Sequence, residues 1–97
     1  MIKHVVFFKL KNNDSDECMR AKEVLLSMKD HIPYIRDIKA GVDFLRSERS
    51  FDVILEVTLD DKKALDDYQD NPYHVNIVKT YIQAIRTDSA SVDYEID

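Results

Sequence analysis

Residues 2–10, IKHVVFFKL, constrain this chain more than any other stretch. β-Branched and aromatic residues dominate it, so it reads as a strand, and period two puts Ile2, His4, Val6, Phe8 and Leu10 on one face. The other face carries Lys3, Val5, Phe7 and Lys9, and is apolar in its middle. An antiparallel sheet ordinarily leaves one face to water, whereas a strand apolar at its centre on both sides needs cover on both.

The rest of the chain supplies the first cover. Asp14, three residues before Glu17, has the spacing of a capping box and predicts a helix from Ser15. Cys18, Ala21, Leu25, Met28 and Ile32 then recur at helical spacing until Pro33 stops them. Ile38, Ala40, Val42 and Phe44 alternate with Lys39, Gly41 and Asp43 as a second strand. After the charged loop RSERS, Phe51, Val53, Leu55 and Val57 face one way in a third strand, and the pair reads as a hairpin. Asp60 is placed to cap a short helix carrying Ala64, Leu65 and Tyr68. Asn71-Pro72 ends that helix and begins another, with Asn71 as cap and Pro72 in the first turn. Val75, Val78, Ile82 and Ile85 continue the apolar stripe, bordered by His74, Ile77 and Tyr81. Val92, Tyr94 and Ile96 alternate with Ser91, Asp93 and Glu95 in a closing strand.

The order β-α-β-β-α-β predicts an α+β, ferredoxin-like protomer, one domain over residues 1–97, with both helices on one face of a four-stranded antiparallel sheet. The first strand's two-sided apolarity, with the Ile38/Phe44 and Phe51/Val57 stripes, exceeds what one helical layer covers. An exposed apolar sheet is adhesive, and the simplest cover is a second copy across a two-fold axis. A homodimer with facing sheets is predicted.

Composition narrows the partners. Net charge is −5 and Lys and Arg are scattered, so nothing here would neutralise a phosphate backbone, and nucleic acid is not an expected partner. No apolar run approaches membrane-spanning length, and the amino terminus alternates too regularly for a signal peptide. The single cysteine, Cys18, suits a reducing compartment, and a cytoplasmic location is expected.

Several stretches together resemble one family: IKHVVFFKLK at the start, Ile32-Pro33, Gly41 alone in its strand, Glu56-Val57-Thr58, and DYQDNPYHVNIV from residue 67. They look like the stress-responsive α/β-barrel (Dabb) domain, and the resemblance covers essentially the whole chain. It implies a dimeric α+β barrel. Olivetolic acid cyclase-type polyketide cyclases are the relatives with defined chemistry, and the resemblance places the residues they use on His4, Tyr68 and His74. The chain differs from them in Asn71 before Pro72, and in Leu25 and neighbouring aliphatics where the cyclases carry aromatic pocket residues.

These three residues are the candidate catalytic set. His74 can be a general base, taking and returning a carbon-bound proton, or a first-turn histidine satisfied by a backbone carbonyl. His4 interrupts an apolar strand face, where an unpaired ring costs roughly 1–3 kcal/mol, so something must hold it: His74, Tyr68, a buried water or a loop. Tyr68 can donate to a developing enolate oxygen or pack at an amphipathic edge. His31, at the end of the first helix, is assigned no function. No metal or cofactor is expected, since no acidic residue is clearly aimed at the interior histidines. Three functions follow: binding of a small apolar or phenolic molecule, a cyclase-like or lyase-type enzyme with His74 as base, and a structural oligomer without ligand.

Overall fold

The computed structural model describes residues 1–96. The elements run β1 (Ile2–Leu10), α1 (Ser15–Leu26), β2 (Asp37–Val42), β3 (Val53–Leu59), α2 (Lys62–Asp70), α3 (Thr80–Ile85) and β4 (Arg86–Glu95). A 3₁₀ turn, Ser27–Asp30, extends α1, and a π-helical stretch, His74–Lys79, leads into α3. The sheet is antiparallel in the order β2-β3-β1-β4. This is the ferredoxin-like α+β protomer expected from the order of elements.

Local signals set most boundaries. Asp14 caps α1 by accepting the Glu17 N–H at 2.9 Å. Cys18, Ala21, Leu25, Met28 and Ile32, the helical stripe read from sequence, are all buried. The second helix starts one residue later than expected: Asp61, not Asp60, accepts from the Ala64 N–H at 2.8 Å. Leu59 is still in β3, which directs Asp60 into a two-pronged pair with Arg36 at 2.7 and 2.8 Å. Asn71 caps the third helical segment as expected, its side-chain oxygen accepting the Tyr73 N–H at 2.9 Å.

One sheet face carries Ile2, His4, Val6, Phe8 and Leu10 of β1, with Val53, Leu55, Val57 and Leu59 of β3. Ile38, Ala40 and Val42 of β2 join them in register and pack on the same core, against which α1 lies. The two stripes expected to be surplus therefore divide differently. Ile38 and Val57 belong under the helices. Phe44 lies beyond the end of β2 in the hairpin loop, and Phe51 precedes β3 with its ring 5.9 Å from that of Phe7, on the helix-free face. Strand alternation stops where the hairpin begins, so period two could not carry either residue's orientation past it.

The helix-free face nonetheless has an apolar centre: Val5 and Phe7 of β1, Ile54 of β3, Phe51, and Val92 and Tyr94 of β4. Lys9 lies over the Phe51 ring, 5.0 Å from its centroid. No helix is long and apolar enough to cross a membrane among the described residues.

At the hairpin end, Asp52 is a buried carboxylate that accepts from the Leu10 N–H at 2.8 Å and the Asn13 amide at 3.2 Å, with Arg46 at 3.8 Å. It ties β3 to the β1–α1 turn. Asp52→Ala is expected to lower unfolding free energy by about 2 kcal/mol, because the Leu10 N–H is left buried without an acceptor. Asp52→Asn retains an acceptor oxygen and should lose less; urea denaturation of both variants measures the difference.

Candidate functional site

A cleft of about 720 Å³ lies between the β1–β4 half of the sheet and the segment from the end of α2 to α3. His4, Tyr68 and His74 all line it, so the structure brings the three expected residues to one volume.

Each ring is held differently. Asn71 and Pro72 turn the chain so that His74 opens the π-helical stretch just beyond the end of α2. From there its Nδ1 hydrogen-bonds the Gln69 carbonyl at 3.0 Å, one of the carbonyls that the end of α2 leaves without a helical partner. A carbonyl only accepts, so Nδ1 carries the proton and Nε2 is the basic nitrogen. Burial lowers the His74 pKa below its ordinary 6.5; the Gln69 bond opposes that shift, while His4 and Lys79 add to it. Near neutral pH the ring is uncharged, with a free acceptor. The backbone-carbonyl partner anticipated for a first-turn histidine is thus present, and the ring lines the cleft as well.

Tyr68, on α2, is completely buried. Its ring lies 4.8 Å from His74 and 5.7 Å, edge to face, from His4. Among the described residues the hydroxyl reaches only Met28 Sδ, a weak acceptor at 3.5 Å. Burial pushes the phenol well above its ordinary pKa of 10, so it stays a proton donor throughout the physiological range.

His4 is buried on β1, and none of the partners expected for it is the one it uses. Its Nδ1 pairs with Asp93 of β4, the residue directly opposite in register. Asp93 belongs to the alternating polar set of the last strand, which in isolation reads as solvent-facing. What could have found it is register: pairing β4 with β1 puts Ser89, Ser91 and Asp93 on the same face as Phe8, Val6 and His4. Ser89 and Ser91, from the polar side of β4, therefore line the cleft.

His31 and Tyr73 stack 4.0 Å apart, and the Tyr73 hydroxyl meets Ser27 Oγ at 2.6 Å, which ties the 3₁₀ turn to the start of the π-helical stretch. Cys18 is buried and its thiol pKa is raised, chiefly by burial, in keeping with a packing role. Among the described residues, no three His, Cys, Asp or Glu side chains converge as a metal-binding group.

The fold has many solved counterparts. A dimeric protein of unknown function and ferredoxin-like fold from Bacteroides fragilis is 26% identical, with a TM-score of 0.82 over 98% of this chain and 95% of its own. A dimeric ferredoxin-like protein of unknown function from Thermobifida fusca is 21% identical, with a TM-score of 0.83 over 98% of this chain and 90% of its own. A hydroxynitrile lyase from Passiflora edulis, 17% identical, shares the fold with a TM-score of 0.80 over 99% of this chain and 93% of its own. No curated protein matches the chain. The sequence profile of the stress responsive A/B barrel domain, Dabb, matches residues 2–96, and the chain belongs to that family.

Proposed function

We propose that this chain is a homodimeric small-molecule-binding protein whose cleft takes a small apolar or phenolic compound. The observation that carries the reading is the contiguous row His4–Tyr68–His74 along one cleft, with the outer two rings fixed by protein partners and the middle hydroxyl bonded only to sulfur. Val75, Val78 and Ile82 supply an apolar wall beside these polar groups, the usual make-up of a ligand site. The homodimer follows from the apolar centre of the helix-free face, where Val92 is 56% and Tyr94 47% exposed in the single protomer. The unpaired, buried Cys18 fits a cytoplasmic location.

Titration calorimetry with 4-propylphenol tests the site. His74→Ala should weaken binding by about tenfold, the value of one hydrogen bond in a sheltered site, without changing the oligomer's elution volume. Equal affinity of variant and parent would remove His74 from the site. No binding by either would leave the structural-oligomer reading in place.

The fixed tautomer of His74 favours a second reading, a polyketide cyclase-like or other lyase-type reaction. Nε2 would take an acidic proton from carbon, the Tyr68 O–H, completely buried against Met28 in the unliganded protomer, would have to turn from that sulfur to donate to the enolate oxygen so formed, and His4, held by Asp93, would orient the set. The base form of His74 persists below pH 6.5 because its folded pKa is lowered. Activity should therefore hold at neutral pH and fall only on acidification past the ordinary histidine value. Stability has the same sign: the unfolded histidine takes up its proton first, so His74 leaves stability unchanged above about pH 6.5 and lowers it as pH falls from there to the folded pKa. In His74→Gln that part of the acid destabilisation should vanish from denaturation curves.

A further inference from the structure

We propose that the ligand of the cleft is an elongated organic anion, a carboxylate held at the Arg86 end with its apolar or aromatic body extending towards His74. This rests on the cleft being a small-molecule site and adds the charge and length of what enters it.

The helix-side residues of β4, read against β1, are Asp93 opposite His4, Ser91 opposite Val6, Ser89 opposite Phe8 and Arg86 opposite Leu10. Asp93 is engaged by His4, whereas Arg86, half-buried at the junction of α3 and β4, has no carboxylate or other side-chain hydrogen-bond partner among the described residues. Arg36 and Arg46, by contrast, hold Asp60 and approach Asp52. A half-sheltered guanidinium without a counter-charge has lost hydration and gained nothing for it, and a carboxylate with its two oxygens matches its fork of donors.

The surroundings keep the same sign. Lys79 also lines the cleft without an ion pair among the described residues. The lining acid, Asp70, stands at the α2 end beside His74, away from Arg86. With Asp93 taken up by His4, the charged side chains that line the cleft are Lys79 and Arg86 against Asp70, a net positive set within a chain of net charge −5. The side-chain hydroxyls of Ser89 and Ser91, which make no hydrogen bond within the described residues, continue the row of donors along the same wall.

Length follows from register. Leu10, opposite Arg86, is six residues along β1 from His4. At ~3.3 Å per residue that is on the order of 20 Å between backbone positions, shortened by the reach of both side chains. The acid group and the part of the ligand at the His4 end of the ring row are therefore separated by roughly 10–15 Å, the length of a six-carbon chain bearing a ring.

Calorimetry with 6-phenylhexanoate and its neutral counterpart, 6-phenyl-1-hexanol, tests this on the full chain. The carboxylate should bind about tenfold or more tightly than the alcohol, and its affinity alone should fall with added salt. Arg86→Gln should bring the carboxylate to the affinity of the alcohol and leave the alcohol unchanged, while Arg86→Lys should restore part of the preference. Lys79→Gln gives a second reading of the same preference should the Arg86 variants be poorly folded. Equal binding of both probes, with no effect of these substitutions, would overturn the anion assignment and leave the small-molecule reading standing. Failure of both probes to bind would overturn the two together.

Discussion

Replacing Tyr68 by alanine is expected to cost about 3–5 kcal/mol of unfolding free energy, the range for removing a fully buried aromatic ring from a core. Tyr68 is completely buried on α2, where His4, His74 and Met28 surround it, so truncation leaves a hole that three separate elements would have to move to close. A domain of this size has typically 5–15 kcal/mol of stability, so the loss is a large share of the whole. Tyr68→Phe separates ring from hydroxyl. The hydroxyl's acceptor is a thioether at 3.5 Å, and removing so weak a bond should change stability by less than about 1 kcal/mol. Urea unfolding of the two variants gives the split. A Phe variant as unstable as the Ala variant would mean that the hydroxyl has a stronger partner than Met28. If instead it is stable but weakened in binding phenols, the hydroxyl belongs to the ligand.

Tyr68 also marks how far the sequence could be read. Its place on α2 beside Ala64 and Leu65 follows from helical spacing, as do the stripe from Cys18 to Ile32 and the cap at Asp14, because those signals lie within one element and depend on local geometry, whereas the complete burial of a residue expected at an amphipathic edge comes from packing between elements. The two-sided apolarity of β1 was legible from the residues themselves. What escaped was information carried between elements. β4 runs from Arg86, yet only Val92 and Tyr94 signal it, because Thr87, Ser89 and Ser91 have the composition of a turn and become strand through pairing with β1. With that strand's start went its register, and with its register went Asp93 as partner of His4. The π-helical stretch after His74 has no compositional mark at all, since nothing in HVNIVK separates a wide helical turn from an α-helical one. The site was half visible for the same reason: its three rings come from local motifs and a resemblance, whereas the wall they face is set by pairing.

Placing a charge at Val92 is expected to convert the proposed homodimer to monomers. Val92 stands opposite Val5 on the helix-free face, and in the single protomer it is more than half exposed, so Val92→Asp should leave the protomer's own fold nearly untouched. In a two-fold interface each substitution occurs twice, and burying an unpaired carboxylate costs several kcal/mol per copy. At 1.4 kcal/mol per factor of ten, the dimer should weaken by about a thousandfold or more. Val92→Lys is the companion variant. Lys3 and Lys9 already lie on that face, so an added cation meets like charges where an added anion meets partial compensation, yet both are desolvated on closure. If desolvation is what opposes the variants, both signs should yield a species near the 11.4 kDa protomer mass by light scattering, with far-UV circular dichroism unchanged. If only one sign dissociates the dimer, a specific ion pair governs the interface. If neither does, the copies meet elsewhere and the apolar centre around Phe7 and Phe51 needs another cover. Val92→Ala fixes the scale, since it removes apolar area without adding charge and should weaken association by only about 1–2 kcal/mol.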